Sequence, residues 1–253
     1  MSAVLTIAKR DFKSYFSSMR GAAIFFFFIL FMGMFFRSFL SEFVAQQQKA
    51  AQMGGMGLSL EQLVRALFAN LTFILILLMP AVTMVAFAGE KRTQTIRLLQ
   101  TAPISATQIV LGKFVASAMF MLLVLIAVSV FPLYMIVYGN VDISIIFSGI
   151  IGAFLLVCSQ LSFGLWVSSM TNNQFLAFLF TMFGLFLLLI LNWIAPSISS
   201  GTLGDIIQYI ASSDHYDAFL RGSINIKDAF YFLLFTCTFL FLTNVALDSQ
   251  RWR

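Results

Sequence analysis

Six apolar runs dominate this chain of 253 residues, and each is long enough to cross a lipid bilayer. About 20 consecutive apolar residues span the hydrocarbon core as a helix, and backbone polar groups in lipid must pair with one another. The runs lack the alternation of polar and apolar residues that marks a membrane β-barrel. We therefore predict an all-α polytopic membrane protein, with spans at about 21–40, 67–88, 104–137, 143–170, 175–194 and 229–247.

The charge content argues against an additional soluble domain. Charged residues make up 10% of the chain, whereas soluble proteins average about 25%. Six spans use about half of the residues, so we predict one transmembrane domain over residues 1–253. The two cysteines, Cys158 and Cys237, lie inside apolar runs, which is typical of small buried side chains rather than metal ligands.

Residues 2–20 combine an apolar face with a basic face at helical spacing. This pattern predicts an interfacial helix that lies in the headgroup plane. The alternative is a merely positive flank of the first span. The apolar positions are Val4, Ala8, Phe12, Tyr15, Phe16 and Met19, and the basic ones are Lys9, Arg10, Lys13 and Arg20.

The basic residues are distributed unevenly between the two sides of the predicted spans. Ten of the fifteen Lys and Arg residues fall in the N-terminus, the loop between spans 2 and 3, and the C-terminus. The positive-inside rule places these regions in the cytoplasm, and we predict a bacterial inner-membrane location. Segments 41–65 and 196–227 are then extracytoplasmic, and the first, rich in Gly, Gln and Ala, is expected to be partly mobile. This topology explains the net charge of +5 without a nucleic-acid partner.

No catalytic arrangement is visible in the sequence. The single histidine, His215, is near Asp214 and Asp217, and we interpret it as part of a structural loop rather than a metal or acid–base site. No Gly-rich phosphate loop ends in Lys-Ser or Lys-Thr. The sequence therefore predicts that the chain is not an enzyme by itself and has no catalytic, metal or cofactor-binding residues.

Polar residues inside the predicted spans are uncharged. Such groups usually form hydrogen bonds between membrane helices. The alternative is that some line a substrate path, for which Ser159, Gln160 and Ser162 are the best cluster. A secondary transporter is disfavoured, because an ion-coupled mechanism would need an ionisable residue within a span.

The loop between spans 2 and 3 mixes charged and apolar residues. Lys91, Arg92 and Arg97 are accompanied by Leu98 and Leu99, which a purely hydrophilic loop would not need. The pattern favours a short amphipathic helix that lies on the cytoplasmic face and contacts a soluble partner. A solvated charged loop is the alternative.

Three segments around this loop resemble the signature of ABC type-2 exporter permeases: residues 87–99, Ala102-Pro103-Ile104-Ser105, and residues 109–114, which include Gly112-Lys113. Within that family the chain most resembles the gliding-motility-associated permeases, through residues 215–232 and Arg251-Trp252. One position departs from the pattern, because Gln94 stands where the family usually has glycine. Glutamine can continue a helix that glycine would end.

The resemblance implies a permease subunit of an ABC exporter. The permease would form a homodimer or heterodimer and bind two cytosolic ATPase subunits, which hold the ATP and Mg. Residues 90–101 would be the coupling helix that sits in a cleft of the ATPase. The coupling residues would be Glu90, Lys91, Arg92, Thr95, Arg97, Leu98 and Leu99.

Two functions remain open at this point. The first is transport driven by the ATPase. The second is a membrane anchor or mechanical transmitter that moves an extracytoplasmic accessory protein docked on segments 41–65 and 196–227, with nothing crossing the membrane.

Overall fold

The computed structural model of the protein describes residues 3–53, 59–95, 104–139, 141–194 and 212–251. Within these ranges every regular element is a helix and there is no strand. Six helical segments are long and apolar enough to cross a membrane, so the predicted all-α polytopic fold is confirmed. The helices are α1 (Ala3–Ser17), α2 (Met19–Met53), α3 (Leu60–Thr83), α4 (Ala88–Arg92), α5 (Ala106–Val128), α6 (Val130–Gly139), α7 (Ile143–Met170), α8 (Gln174–Ile194), α9 (Ser212–Leu220) and α10 (Ile226–Arg251).

Helix α2 is much longer than predicted. It continues from the first span through Met53, over 35 residues, which corresponds to about 50 Å, whereas the hydrocarbon core measures about 30 Å. The Gln, Ala and Lys residues that follow the apolar run are good helix formers. The segment from residue 41, predicted to be extracytoplasmic and partly mobile, is helical as far as Met53, and residues 54–58 lie outside the described ranges.

The second span is interrupted close to its end. Pro80 lies within α3, which ends at Thr83, and α4 begins at Ala88 after a short turn. Proline has no N–H to donate and crowds the turn before it, but α3 continues through Pro80, and the break falls after Met84, whose N–H donates to the Pro80 carbonyl at 2.9 Å. The interruption separates α4 from the transmembrane part of the span.

The third span is also divided into two helices. The break falls at Ser129, between α5 and α6, and the Ser129 hydroxyl donates to the Ile126 carbonyl at 2.7 Å. Pro132, within the first turn of α6, removes one backbone donor there. The start of α5 is fixed instead by a capping box, in which the side chains of Ser105 and Gln108 each accept from the other's backbone N–H.

Helices α3 and α7 form the centre of the bundle. In the most apolar stretch of each span, 61% of residues are buried in Leu60–Arg92 and 56% in α7, but only 17% in α2 and in α8. Glycines let the central helices approach closely, as is common in membrane proteins. A Cβ atom on Gly164 of α7 would lie 2.4 Å from Thr83 Oγ1 of α3, so no larger residue fits there without displacing α3.

The short helix α9 packs into the end of the bundle opposite α4. Its Tyr216 and Phe219 are fully buried, and Ser148 Oγ of α7 donates to the Phe219 carbonyl at 2.7 Å. His215 lies on this helix and not in a loop; its Nδ1 is 2.7 Å from Asp228 Oδ1 of α10. Its ring also stacks on Tyr231, with centroids 4.0 Å apart. His215 therefore joins α9 to α10, and the partner identified here is Asp228.

Candidate functional site

Four charged side chains from three different helices meet at the end of the bundle that carries α4. Lys113 Nζ of α5 lies 2.7 Å from Glu90 Oε1 of α4 and 3.2 Å from Asp11 Oδ2 of α1. Arg10 of α1 bridges the same two carboxylates, at 3.1 Å from Glu90 Oε1 and 2.7 Å from Asp11 Oδ1. We call Arg10, Asp11, Glu90 and Lys113 the charge cluster. With two cations and two anions, it is neutral.

The two cations of the charge cluster differ in exposure. The Lys113 side chain is 3% exposed, whereas that of Arg10 is 51% exposed. Removing one partner of a buried ion pair typically costs about 3–5 kcal/mol, because the other charge is left unpaired. The Lys113 ammonium also lies 5.4 Å from the centre of the Phe87 ring, a favourable cation–π distance. Lys113 is therefore the residue that holds the cluster together.

The pKa of Arg10 agrees with its position between the carboxylates of Asp11 and Glu90. Burial alone would lower the pKa of Arg10, but the hydrogen bonds and negative charges of Asp11 and Glu90 outweigh it, and the pKa is raised. Arg10 is thus held in its charged form.

Helix α4 is anchored to the transmembrane helices at both of its ends. At its start, Ser168 Oγ of α7 accepts hydrogen bonds from the backbone N–H groups of Phe87 and Ala88, at 3.2 and 3.1 Å. At its end, Lys91 Nζ donates to the Ser169 carbonyl, which also accepts from Gln250 Nε2 of α10 at 3.0 Å. A displacement of α4 therefore acts directly on α7 and α10.

The segment after α4 corrects one prediction. Gln94 has a φ of 60°, in the left-handed region. Helix α4 ends at Arg92, so Gln94 does not continue it. The glutamine takes up the conformation that glycine adopts without steric cost. A single unbroken helix over residues 90–101 is thus wrong at residues 93–94.

The predicted coupling residues are only partly covered by the described ranges. Glu90 lies in the charge cluster and Lys91 contacts Ser169, whereas Arg92 and Thr95 are exposed. Arg97, Leu98 and Leu99 fall within residues 96–103, outside the described residues, and their contacts with an ATPase stay a prediction.

Sequence reasoning missed Asp11 and the role of Lys113. Asp11 is the single acidic residue within the basic segment 2–20, and Lys113 is a cation that follows the apolar run Ile109-Val110-Leu111. A lone acidic residue in a basic segment and a lysine after an apolar run were the two features of the sequence that could have indicated this ion pair. Their pairing joins positions 102 residues apart in the chain.

The N-terminal helix is confirmed as a helix, and one of its faces packs on α5. Tyr15 stacks on Phe120 with centroids 4.6 Å apart, and its hydroxyl lies 3.0 Å from Ser117 Oγ. Burial raises the pKa of Tyr15 to about 12, so the hydroxyl stays neutral and can donate a hydrogen bond. Ile7 is also buried. These contacts fix α1 to the third span.

The proposed substrate-path residues do not share one role. The hydroxyl of Ser159 donates to the Leu156 carbonyl and that of Ser162 to the Ser159 carbonyl, both at 2.7 Å within α7. Gln160 is buried, and its Oε1 has no hydrogen-bond partner among the described residues. Ser159 and Gln160 line a cavity of about 10 Å³ together with Tyr231, which is about the size that one water molecule needs.

Comparison with known proteins identifies the family. Residues 5–247 match the family described as ABC-2 family transporter protein. The match covers nearly the whole chain, in agreement with the family indicated by the motif residues. A search of curated proteins found no match. The gliding-motility subgroup stays a prediction.

Proposed function

We propose, since this chain belongs to the ABC-2 family of transporter proteins, that it is the permease subunit of an ABC exporter in a bacterial inner membrane. Both termini and α4 face the cytoplasm. The permease pairs with a second permease copy and binds cytosolic ATPase subunits that hydrolyse ATP with Mg. It converts their motion into transport, or into movement of the gliding-motility type.

The observation that carries the proposal is the position of Glu90. It lies in α4, at the start of the proposed coupling segment 90–101, and its carboxylate contacts both Arg10 of α1 and Lys113 of α5. A force applied to the coupling segment therefore reaches the N-terminal helix and the third span directly.

The strength of this contact suits a mechanical role. An exposed salt bridge contributes about 0–1 kcal/mol to stability and would break easily when α4 is displaced. Separating Glu90 from Lys113 would leave a nearly buried ammonium with one carboxylate fewer, which is far more costly. Helices α1, α4 and α5 are therefore expected to move together when the ATPase closes.

The test is the isosteric variant Glu90→Gln, assayed as a complex with the cognate ATPase in lipid. Lys113 keeps Asp11, so the fold should survive and the ATPase should still co-purify. We expect ATP turnover of the variant complex to fall towards the rate of the isolated ATPase, because the contact of α4 with α1 and α5 is weakened while its hydrogen bonds to α7 remain. The matched control is Glu61→Gln, in the first turn of α3, which lies outside the charge cluster.

Two outcomes would count against this proposal. Wild-type turnover in the Glu90→Gln complex would show that the charge cluster does not transmit motion. An equal loss of turnover in Glu61→Gln would indicate a general folding defect. Loss of ATPase binding in Leu98→Asp or Leu99→Asp is the complementary test of the contact itself, because a few apolar anchors usually dominate an interface.

A second candidate function is a transmitter that moves an extracytoplasmic partner while nothing crosses the membrane. It is favoured by the packing of α9, whose Tyr216 hydroxyl donates to the Phe68 carbonyl of α3 and whose Phe219 carbonyl accepts from Ser148 of α7. Motion of the central helices would thus reach the far surface. Stimulation of ATP hydrolysis by a translocated substrate would favour transport, and stimulation by a docked accessory protein would favour the transmitter.

A further inference from the structure

We infer that a cavity beside the charge cluster binds the phosphodiester headgroup of a membrane phospholipid. The cavity has a volume of about 280 Å³ and lies where α1, the start of α2, the junction of α3 with α4, and α5 come together. Its polar wall includes Ser14, Ser18, Arg20 and Lys113, and its apolar wall includes Ile24 and Val82.

The cavity is placed at the level of lipid headgroups. It borders the first residues of α2, where the first membrane span begins, and the last turn of α3. Two neighbouring apolar side chains, Phe16 and Met19, are exposed, Met19 to 91%. Exposed apolar residues beside basic ones at the end of a span are typical of contact with the interface of the bilayer.

Among the charged side chains that line the cavity, Arg20 is the cation that is available to bind a ligand. Lys113 is already held by Asp11 and Glu90, which are also bridged by Arg10. Arg20 is exposed, lines the cavity, and takes part in no ion pair among the described residues. Arginine binds phosphate through two parallel hydrogen bonds. Arg20 is therefore the group that would hold an anionic headgroup.

The apolar wall decides the class of ligand. Ala81, Val85 and Ala86 continue the surface formed by Ile24 and Val82. A free phosphate ion would gain nothing from this wall, and a purely apolar molecule would gain nothing from Arg20. A phospholipid satisfies both, with its phosphodiester on Arg20 and the start of an acyl chain along the wall.

The same cavity also borders α4 and the turn after it. Gly89, Glu90 and Thr93 line its α4 side, and Asp11 lines its α1 side. A bound lipid would thus fill the space between α1 and α4, next to the charge cluster. This inference concerns lipid binding to the chain itself and does not depend on which cargo the protein handles.

The experiment measures binding of three probes to the purified full-length chain in detergent. The probes are dihexanoyl phosphatidylglycerol, dihexanoylglycerol, which lacks the phosphate, and inorganic phosphate. We expect the phospholipid to bind at least about tenfold more tightly than dihexanoylglycerol, which is the effect of one charge-assisted hydrogen bond. It should also bind more tightly than inorganic phosphate, which has no acyl chain to bury against the apolar wall. Arg20→Gln should weaken phospholipid binding by about the same factor.

Arg37→Gln is the matched control, since Arg37 is exposed on the same helix but does not line the cavity. Its phospholipid affinity should equal that of the wild type. Ala81→Phe is a second variant that fills the apolar wall and leaves every charge in place, and it should also weaken phospholipid binding.

Four results would overturn the inference. Equal effects of Arg20→Gln and Arg37→Gln on phospholipid binding would show that Arg20 does not hold the headgroup. Unchanged phospholipid binding in Ala81→Phe would show that no acyl chain lies along the apolar wall. Equally tight binding of inorganic phosphate would indicate a free-anion site, and equally tight binding of dihexanoylglycerol would indicate a purely apolar groove.

Discussion

Gln94 shows how a single backbone position shapes the turn that follows α4. Its φ of 60° is a conformation in which a non-glycine residue costs roughly 1–2 kcal/mol. Because the turn occurs with glutamine in place, the turn is imposed by its surroundings, which include the hydrogen bond from the Thr93 N–H to the Gly89 carbonyl at 3.1 Å. The left-handed conformation, rather than glycine as such, is what this position requires.

This reading predicts opposite effects for two substitutions at position 94. Gln94→Gly should keep or raise stability, because glycine adopts a positive φ without steric cost. Gln94→Val should destabilise the turn by about 1–2 kcal/mol, since a β-branched residue fits this region poorly. The measurement is the rate of limited proteolysis after α4 in the folded protein, together with the melting midpoint. Equal protection of the glycine and valine variants would contradict the prediction.

The charge cluster shows which residue contacts could be predicted from the sequence and which could not. Glu90 and Lys113 were recognised from the motifs, whereas the apolar contacts expected at Leu98 and Leu99 lie outside the described residues and stay a prediction. The pairing of Lys113 with Asp11 was not predicted, because it depends on how α1 packs against α5, and hydropathy carries no information about which helices become neighbours. Helix packing brings together residues that the sequence separates widely.

At the scale of elements, hydropathy predicted the positions of the spans well, but it predicted the ends of some helices better than those of others. Helices α7 and α8 lie almost where they were expected, because Asp142 caps α7 and the polar residues Thr171-Asn172-Asn173 separate the two. Helices α2 and α10 extend beyond their apolar runs. The hydropathy of a segment indicates where the hydrocarbon core of the membrane ends. A helix ends instead where the helix propensity of its residues falls or where a capping residue occurs.

The contact between α9 and α10 supports a prediction at this scale. Asp228→Asn keeps the shape of the side chain but removes the charge that faces His215 Nδ1 at 2.7 Å. Hydrogen bonds to charged groups contribute about 1.5–3 kcal/mol, so the melting midpoint of the purified chain should fall. Asp248→Asn, exposed near the other end of α10, is the control and should melt like the wild type. Identical melting of both variants would mean that the pair does not hold α9 in place.

At the scale of the whole molecule, the bundle buries its helices very unequally. Helices α3 and α7 are enclosed by protein, whereas α2 and α8 present mostly apolar, exposed side chains. In a membrane such faces are compatible with lipid, because acyl chains are as apolar as leucine. Their exposure is therefore compatible both with contact to lipid and with contact to a second copy, and an experiment has to distinguish the two. The membrane fold was predictable from composition, but the surface that pairs with another copy was not.

The predicted pairing of two permease copies can be tested on these faces. We propose that α2 and α8 meet the second copy, because they are the least buried spans. Nitroxide labels at Phe183→Cys on α8 and at Phe241→Cys on α10 form a matched pair, as these side chains are 63% and 65% exposed. Both free cysteines, Cys158 and Cys237, are first replaced by serine.

Dipolar spectroscopy of each labelled protein in lipid then measures the distance between copies. In a symmetric dimer the same surface is used by both copies, so labels on α8 should lie closer together than labels on α10. Dilution with unlabelled protein should remove the dipolar signal, which shows that it arises between copies. A shorter distance at position 241 than at 183 would place the interface on α10 instead, and the α2–α8 arrangement would be wrong.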